Sequence, residues 1–137
     1  MDAFSKTFAA SIVNHMLRAE AFTPPTTIYI ALFKSSVGLD NNTGVTGEVV
    51  GANYVRKAVT LDSSTVGITN NSVDIEWDAA TSDWGLVTHV AIVDHLSNTN
   101  FGTNVNVLMY GELAEAKNVT NGKIVKIAQS SLSISVN

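Results

Sequence analysis

Leu86-Val87-Thr88-His89-Val90-Ala91-Ile92-Val93-Asp94 is the stretch that decides the fold. It is dominated by β-branched and aliphatic residues and is entered through Trp84-Gly85, which makes it the strongest strand signal in the chain. Thr27-Ile28-Tyr29-Ile30-Ala31-Leu32-Phe33 is apolar at successive positions, so both faces of this second strand are expected to be buried. Ser72-Val73-Asp74-Ile75-Glu76-Trp77 alternates instead, which predicts Val73, Ile75 and Trp77 facing inward. Further strands are expected at Tyr54–Leu61 and Val107–Leu113. Another is expected at the C-terminus, where Leu132, Ile134 and Val136 alternate with serines. Asn121-Gly122 signals a hairpin, with Val119-Thr120 and Lys123–Ile127 as its arms. Gly38, Asp40-Asn41-Asn42, Gly44 and Gly47 mark residues 35–51 as a long loop, and the Asn-rich residues 97–106 read as a second, flexible one.

Before Pro24-Pro25 the period changes. Phe4, Phe8, Ile12 and Met16 recur every four residues, with Ala9, Val13 and Leu17 beside them and Lys6, Asn14, Arg18 and Glu20 off the stripe. This predicts an amphipathic helix over residues 1–20, capped by Asp2 or Ser5 and stopped by the prolines. One helix followed by seven or eight short strands predicts a mainly β chain. The expected architecture is a single antiparallel β-sandwich, jelly-roll-like, in one domain spanning 1–137, with the helix in 1–21 and the sandwich in 27–137. A parallel α/β fold would need helices between the strands, and no later segment has the helical period.

With 137 residues the chain can build a single core unaided by staples. It has no cysteine, which removes disulfides, thiol nucleophiles and cysteine-based zinc sites together. Eight Lys and Arg against twelve Asp and Glu leave a net charge of −4, so no nucleic-acid partner is expected. No apolar run approaches the roughly 20 residues that span a bilayer, so no membrane partner is expected either. The opening Met1-Asp2-Ala3-Phe4-Ser5-Lys6 lacks the plan of a secretory signal. Nucleophile-elbow, Walker, dinucleotide and His-Glu-x-x-His motifs are all missing, so neither a cofactor nor an enzymatic activity is expected.

The remaining polar groupings have ordinary explanations. His89 and His95 would lie about 20 Å apart on one strand, too far to share a metal. Asp74, Glu76 and Asp78 form a carboxylate row whose spacing of about 7 Å admits acid–base chemistry, although any half-exposed strand produces such rows. Asp40-Asn41-Asn42-Thr43-Gly44 has the flavour of a calcium loop but lacks its third alternating ligand and closing Glu. Three glycosylation triplets begin at Asn41, Asn70 and Asn118 and place those segments at the surface. Trp84 is expected to plug the core with its N–H bonded to a carbonyl; a sugar-stacking platform made with Tyr54 is the functional alternative.

Several segments taken in order carry a resemblance. They are Thr23-Pro24-Pro25 leading to Ala31-Leu32-Phe33, Gly51-Ala52-Asn53-Tyr54 through Leu61, and Asn70-Asn71-Ser72-Val73. After these come Ala80-Thr81-Ser82-Asp83-Trp84-Gly85 through Asp94, and Tyr110-Gly111-Glu112-Leu113. Together they make the chain similar to small virion structural proteins of tailed bacteriophages, among them capsid decoration (cement) proteins and proteins labelled tail fibre. The resemblance covers nearly the whole chain, is most specific from Asp83 to Asp94, and brings no catalytic residues. It implies a virion protein assembled in the host cytoplasm as a homotrimer. The first expectation is a head decoration protein on the capsid surface, with the major capsid protein of the same phage as partner. A tail fibre or baseplate component is the alternative, and a carbohydrate-binding module a further one. The residues expected to touch partners are Phe4, Phe8 and Ile12 on the helix, Leu39, Asp40, Asn41 and Asn42 in the first long loop, and Phe101 and Asn104 in the second.

Overall fold

The computed structural model describes residues 3–136. A short strand β1 (Ala3–Phe4) precedes helix α1 (Lys6–Arg18), and eight strands follow. These are β2 (Ile28–Phe33), β3 (Lys57–Val59), β4 (Ile68–Asn70), β5 (Ile75–Glu76), β6 (Gly85–Val93), β7 (Val107–Val119), β8 (Lys126–Ile127) and β9 (Ser133–Ser135). Five of them form one antiparallel sheet in the order β1-β7-β6-β2-β3, while β4 pairs with β9 and β5 with β8. The chain is mainly β with antiparallel sheets and a single helix, as the sequence pattern implied.

The two strands read as most apolar sit side by side, with Leu32 opposite Val90 and Ala31 opposite Ala91. Because side chains alternate between faces, one pair of strands feeds two cores. Ile30, Leu32, Val90 and Ile92 face a core shared with Trp77, Trp84, Ile75, Leu132 and Ile134, which come from the two small ladders and their connections. Ala31, Phe33, Ala91 and Val93 face a second core closed by Leu39, Val105 and Val107. The sandwich is therefore unequal: a five-stranded sheet lies between short ladders on one side and the two long loops on the other.

Those loops are structured. Gly47 and Val49 return to the edge of β2 through Lys34 N–H to Gly47 O (2.7 Å) and Val49 N–H to Leu32 O (2.9 Å). Asn42 is buried, accepts Val107 N–H at 3.0 Å and donates to Asn106 Oδ1 at 2.9 Å, so one side chain ties both loops together. Asn106 in turn donates twice to Asp94, at 2.7 and 2.9 Å. The flexible character expected of residues 97–106 is corrected by these bonds.

Other boundaries also move. The helix starts at Lys6, because Ser5 caps it by accepting Phe8 N–H while Ala3 and Phe4 add to β7. Phe4 is thus a strand residue; the alternative cap, Asp2, lies outside the described residues. The helix ends at Arg18, well before the prolines, where Ala19 turns left-handed (φ 54°) and Glu20 N–H bonds back to Asn14 O. Tyr54–Leu61 shrinks to a three-residue strand, and Val73 turns outward, leaving only Ile75 and Trp77 of the alternating stretch buried. The turn at Asn121-Gly122 forms, closed by Lys123 N–H to Thr120 O at 3.0 Å, but beyond that bond its arms do not continue as a hairpin. Instead Lys123 accepts Ala80 N–H and β8 joins β5. The last strand buries Leu132 and Ile134 and exposes Val136. Strand β7 runs on to Val119 through a wide bulge, in which residues 113–116 face Thr88 alone.

The triplet at Asn70 starts on the last residue of β4, and its middle residue, Asn71, is wholly buried. Asn71 donates to Val73 O and Ala128 O and accepts Leu132 N–H, all at 2.8–2.9 Å, so it pins the C-terminal segment to the first core. Replacing Asn71→Ala leaves the buried Leu132 N–H and two half-buried carbonyls without this partner and should cost about 2 kcal/mol, read as a drop in urea midpoint at unchanged slope.

Candidate partner-binding surface

Helix α1 is attached at one end only. Ser5 N–H bonds to Leu108 O at 2.9 Å, its hydroxyl donates to Val107 O, and Lys6 N–H bonds to Asp40 O at 2.8 Å. Lys6 Nζ lies 2.7 Å from Asp40 Oδ2, and this contact raises the lysine pKa above its ordinary value. Both groups are solvent-exposed, so screening leaves the pair a minor contribution. Phe4 and Phe8 meet edge to face at 5.5 Å, and Phe22 folds back onto Phe8 and His15, each at 6.0 Å.

Beyond that anchor the helix leaves its own fold. No residue of α1 is fully buried, and Val13, Met16 and Leu17 are 51%, 70% and 80% exposed. Adjacent apolar side chains on successive turns, open to water, are a feature that monomeric surfaces rarely keep without use. The stripe expected from sequence is therefore real, and its exposed end lies at the C-terminal turns rather than at Phe4, Phe8 and Ile12. Phe4, Phe8 and Ile12 are half-buried in the chain itself, while Val13, Met16 and Leu17 stand free. The periodicity shows all of them equally; which end is anchored depends on Ser5 and Asp40, which no helical pattern reveals.

The loop residues divide in the same way. Leu39 and Asn42 are buried in the second core and its hydrogen bonds, Asp40 is engaged by α1, and Asn41 and Asn104 are exposed. Phe101 is half-buried at 6.4 Å from Phe33. The oxygens of the supposed calcium loop are thus partly spent on Lys6, Val107 and Tyr110. Among the described residues no group of three or more His, Asp or Glu is placed to hold a metal.

A groove of about 690 Å³ runs between residues 45–58 and the second loop. Under it lies a buried ion pair: Arg56 Nε and Nη2 donate to the two Glu48 oxygens at 2.8 and 2.7 Å. Arg56 Nη1 donates to His95 O and Asn98 O, both at 2.9 Å, and the guanidinium sits 5.3 Å from the Phe101 ring. Tyr54 accepts Leu32 N–H and donates to Glu48. Burial first, and the Glu48 charge second, push its phenol far above the ordinary range, so the hydroxyl stays protonated as a donor.

Trp84 plugs the core as expected, and the alternative of an open aromatic platform made with Tyr54 is excluded by its burial. Trp84 is 2% exposed, with Tyr54 against it edge to face at 5.5 Å. Its N–H has no partner, against the expected carbonyl bond, and it is Trp77 that donates, to Val55 O at 2.7 Å. Gly51 lies so close that a Cβ there would be 2.4 Å from the Trp84 ring, which explains the glycine. In the carboxylate row, Asp74 serves structure: it accepts Gln129 N–H at 2.7 Å and meets Lys126 at 3.2 Å, and these bonds hold its pKa below the usual carboxylate range.

The family model for the Podophage GP4 fiber I protein gp80 matches residues 3–135. The chain belongs to that family. It is accordingly a phage virion structural protein, of a family described as fibre protein rather than enzyme. No curated protein sequence matches the chain. Within the gp80 family frame the chemistry on view is that of holding shape: buried pairs and caps, with an apolar helix end left over.

The Glu48–Arg56 pair yields a sharp expectation. Arg56→Ala leaves two loop carbonyls without this donor and the Glu48 carboxylate with only the Tyr54 hydroxyl, and should cost about 3–5 kcal/mol. The Glu48→Ala/Arg56→Ala double variant should cost clearly less than the two single losses added together, as a thermal-melt cycle would show.

Proposed function

We propose that the chain is a component of a tail fibre of the virion and that it assembles with further copies of itself through the free end of α1. The family's description as a fibre protein favours the tail over the capsid surface, and so favours the fibre alternative over head decoration on a major capsid protein lattice. The observation that carries the second half is the exposed Val13, Met16 and Leu17 on a helix anchored only at Ser5. Closed homo-oligomers bury such stripes symmetrically, and the resemblance to virion proteins points to a trimer. The function is mechanical: a two-core sandwich provides a stiff body, and the helix provides the contact.

Removing residues 1–20 would be a poor test, because Phe4, Ser5 and Phe8 are woven into β7 and the first core. Leu17→Glu is cleaner, since the side chain touches little. It should leave stability within about 0.5 kcal/mol of the parent and convert the oligomer to monomer in sedimentation. A parent chain that is already monomeric at micromolar concentration refutes the helix interface. Counting copies per purified particle by mass spectrometry tests the location independently: dozens or fewer fit a fibre, hundreds fit the capsid.

A further inference from the structure

The turn after β6 is shaped by its own histidine. His95 Nδ1 accepts two backbone N–H groups, from Ser97 at 3.1 Å and from Asn98 at 2.9 Å. An amide can only donate, so Nδ1 presents its lone pair and the ring proton sits on Nε2. The opposite side of the same turn gives the carbonyls of His95 and Asn98 to the Arg56 guanidinium. An exposed, titratable ring thus sets a turn that satisfies a buried charge. Leu96, Ser97, Thr99 and Phe101 of this loop also form one wall of the 690 Å³ groove.

The geometry points to a pH-sensitive latch: protonation of His95 Nδ1 replaces an acceptor with a donor facing two other donors, opens the turn at 95–98 and loosens that wall of the groove. Histidine is the side chain whose charge changes between pH 5 and 8. The charged groups around it bear on the outcome. Arg56 lies on the carbonyl side of the turn with Glu48 paired behind it, and a second positive charge on the turn is unfavourable next to the guanidinium. Asp94 precedes His95 in the chain, with both carboxylate oxygens engaged by Asn106. Lys57, Tyr29 and Tyr54 lie further off, in the two grooves that flank Leu96. The closed turn therefore needs an unprotonated Nδ1 and is lost when that nitrogen takes up a proton.

Amide hydrogen exchange on the full chain, corrected for intrinsic rates, reads this directly. Protection at Ser97 and Asn98 should fall about tenfold between pH 7.5 and pH 5, with β6 amides unchanged. His95→Asn keeps an acceptor that does not titrate and should hold protection at both pH values; His95→Ala should lose it at both. The latch is overturned if the parent and His95→Asn respond alike to pH, if His95→Ala stays protected, or if β6 amides lose protection together with the turn.

Discussion

Burial on both faces of the β2–β6 pair is the constraint from which the rest of the molecule follows. A strand pair with one wet face needs a single covering layer; this pair needs two. The chain supplies the first with tryptophans and two miniature ladders, and the second with loops. That is why segments rich in Gly, Asn and Asp fold down onto the sheet and contribute Leu39 and Val105 to a core. Their polarity is then consumed internally: Asn42, Asn106 and Asp94 form a chain of bonds whose work is to close backbone donors that a buried loop would otherwise leave open.

Those needs make side chains usually read as surface groups into structural ones. Asn71, Arg56 and Asn42 are among the best-hidden polar residues, and each bonds to backbone from a distant part of the sequence. The partner of Arg56 comes from the returning arm of the first loop, and its carbonyls come from the second, so a single guanidinium joins three segments. Helix α1 hangs from this frame by one serine and one aspartate and contributes little of its own surface to the interior.

The parts of this arrangement legible in the sequence were the ones governed by local period. Ile28–Phe33 and Gly85–Val93 declared themselves because continuous apolar runs have few other uses, and the stripe of α1 did so because its spacing is helical. Pairing was not legible. Lys123–Ile127 looks like the arm of a tight hairpin, yet it joins the Trp77–Ala80 edge, and Val119 O is taken by the backbone amide of Trp84. The loops were misjudged for a related reason: Asn and Asp are turn formers in a local reading, and only the tertiary fold shows what they bond to. Which end of the apolar stripe stays exposed was not legible either, because exposure is decided by where the chain is tied down.

The bulge in β7 matters for a virion structural protein, which works among many other chains. Strand β1 covers the outer side of β7 only at Met109 and Tyr110. A flat continuation from there would offer a template on which neighbouring copies add strand to strand without limit. Residues 113–116 break that regularity with several positions set against one, so the edge has no constant register to copy. Growth by sheet extension is thereby discouraged.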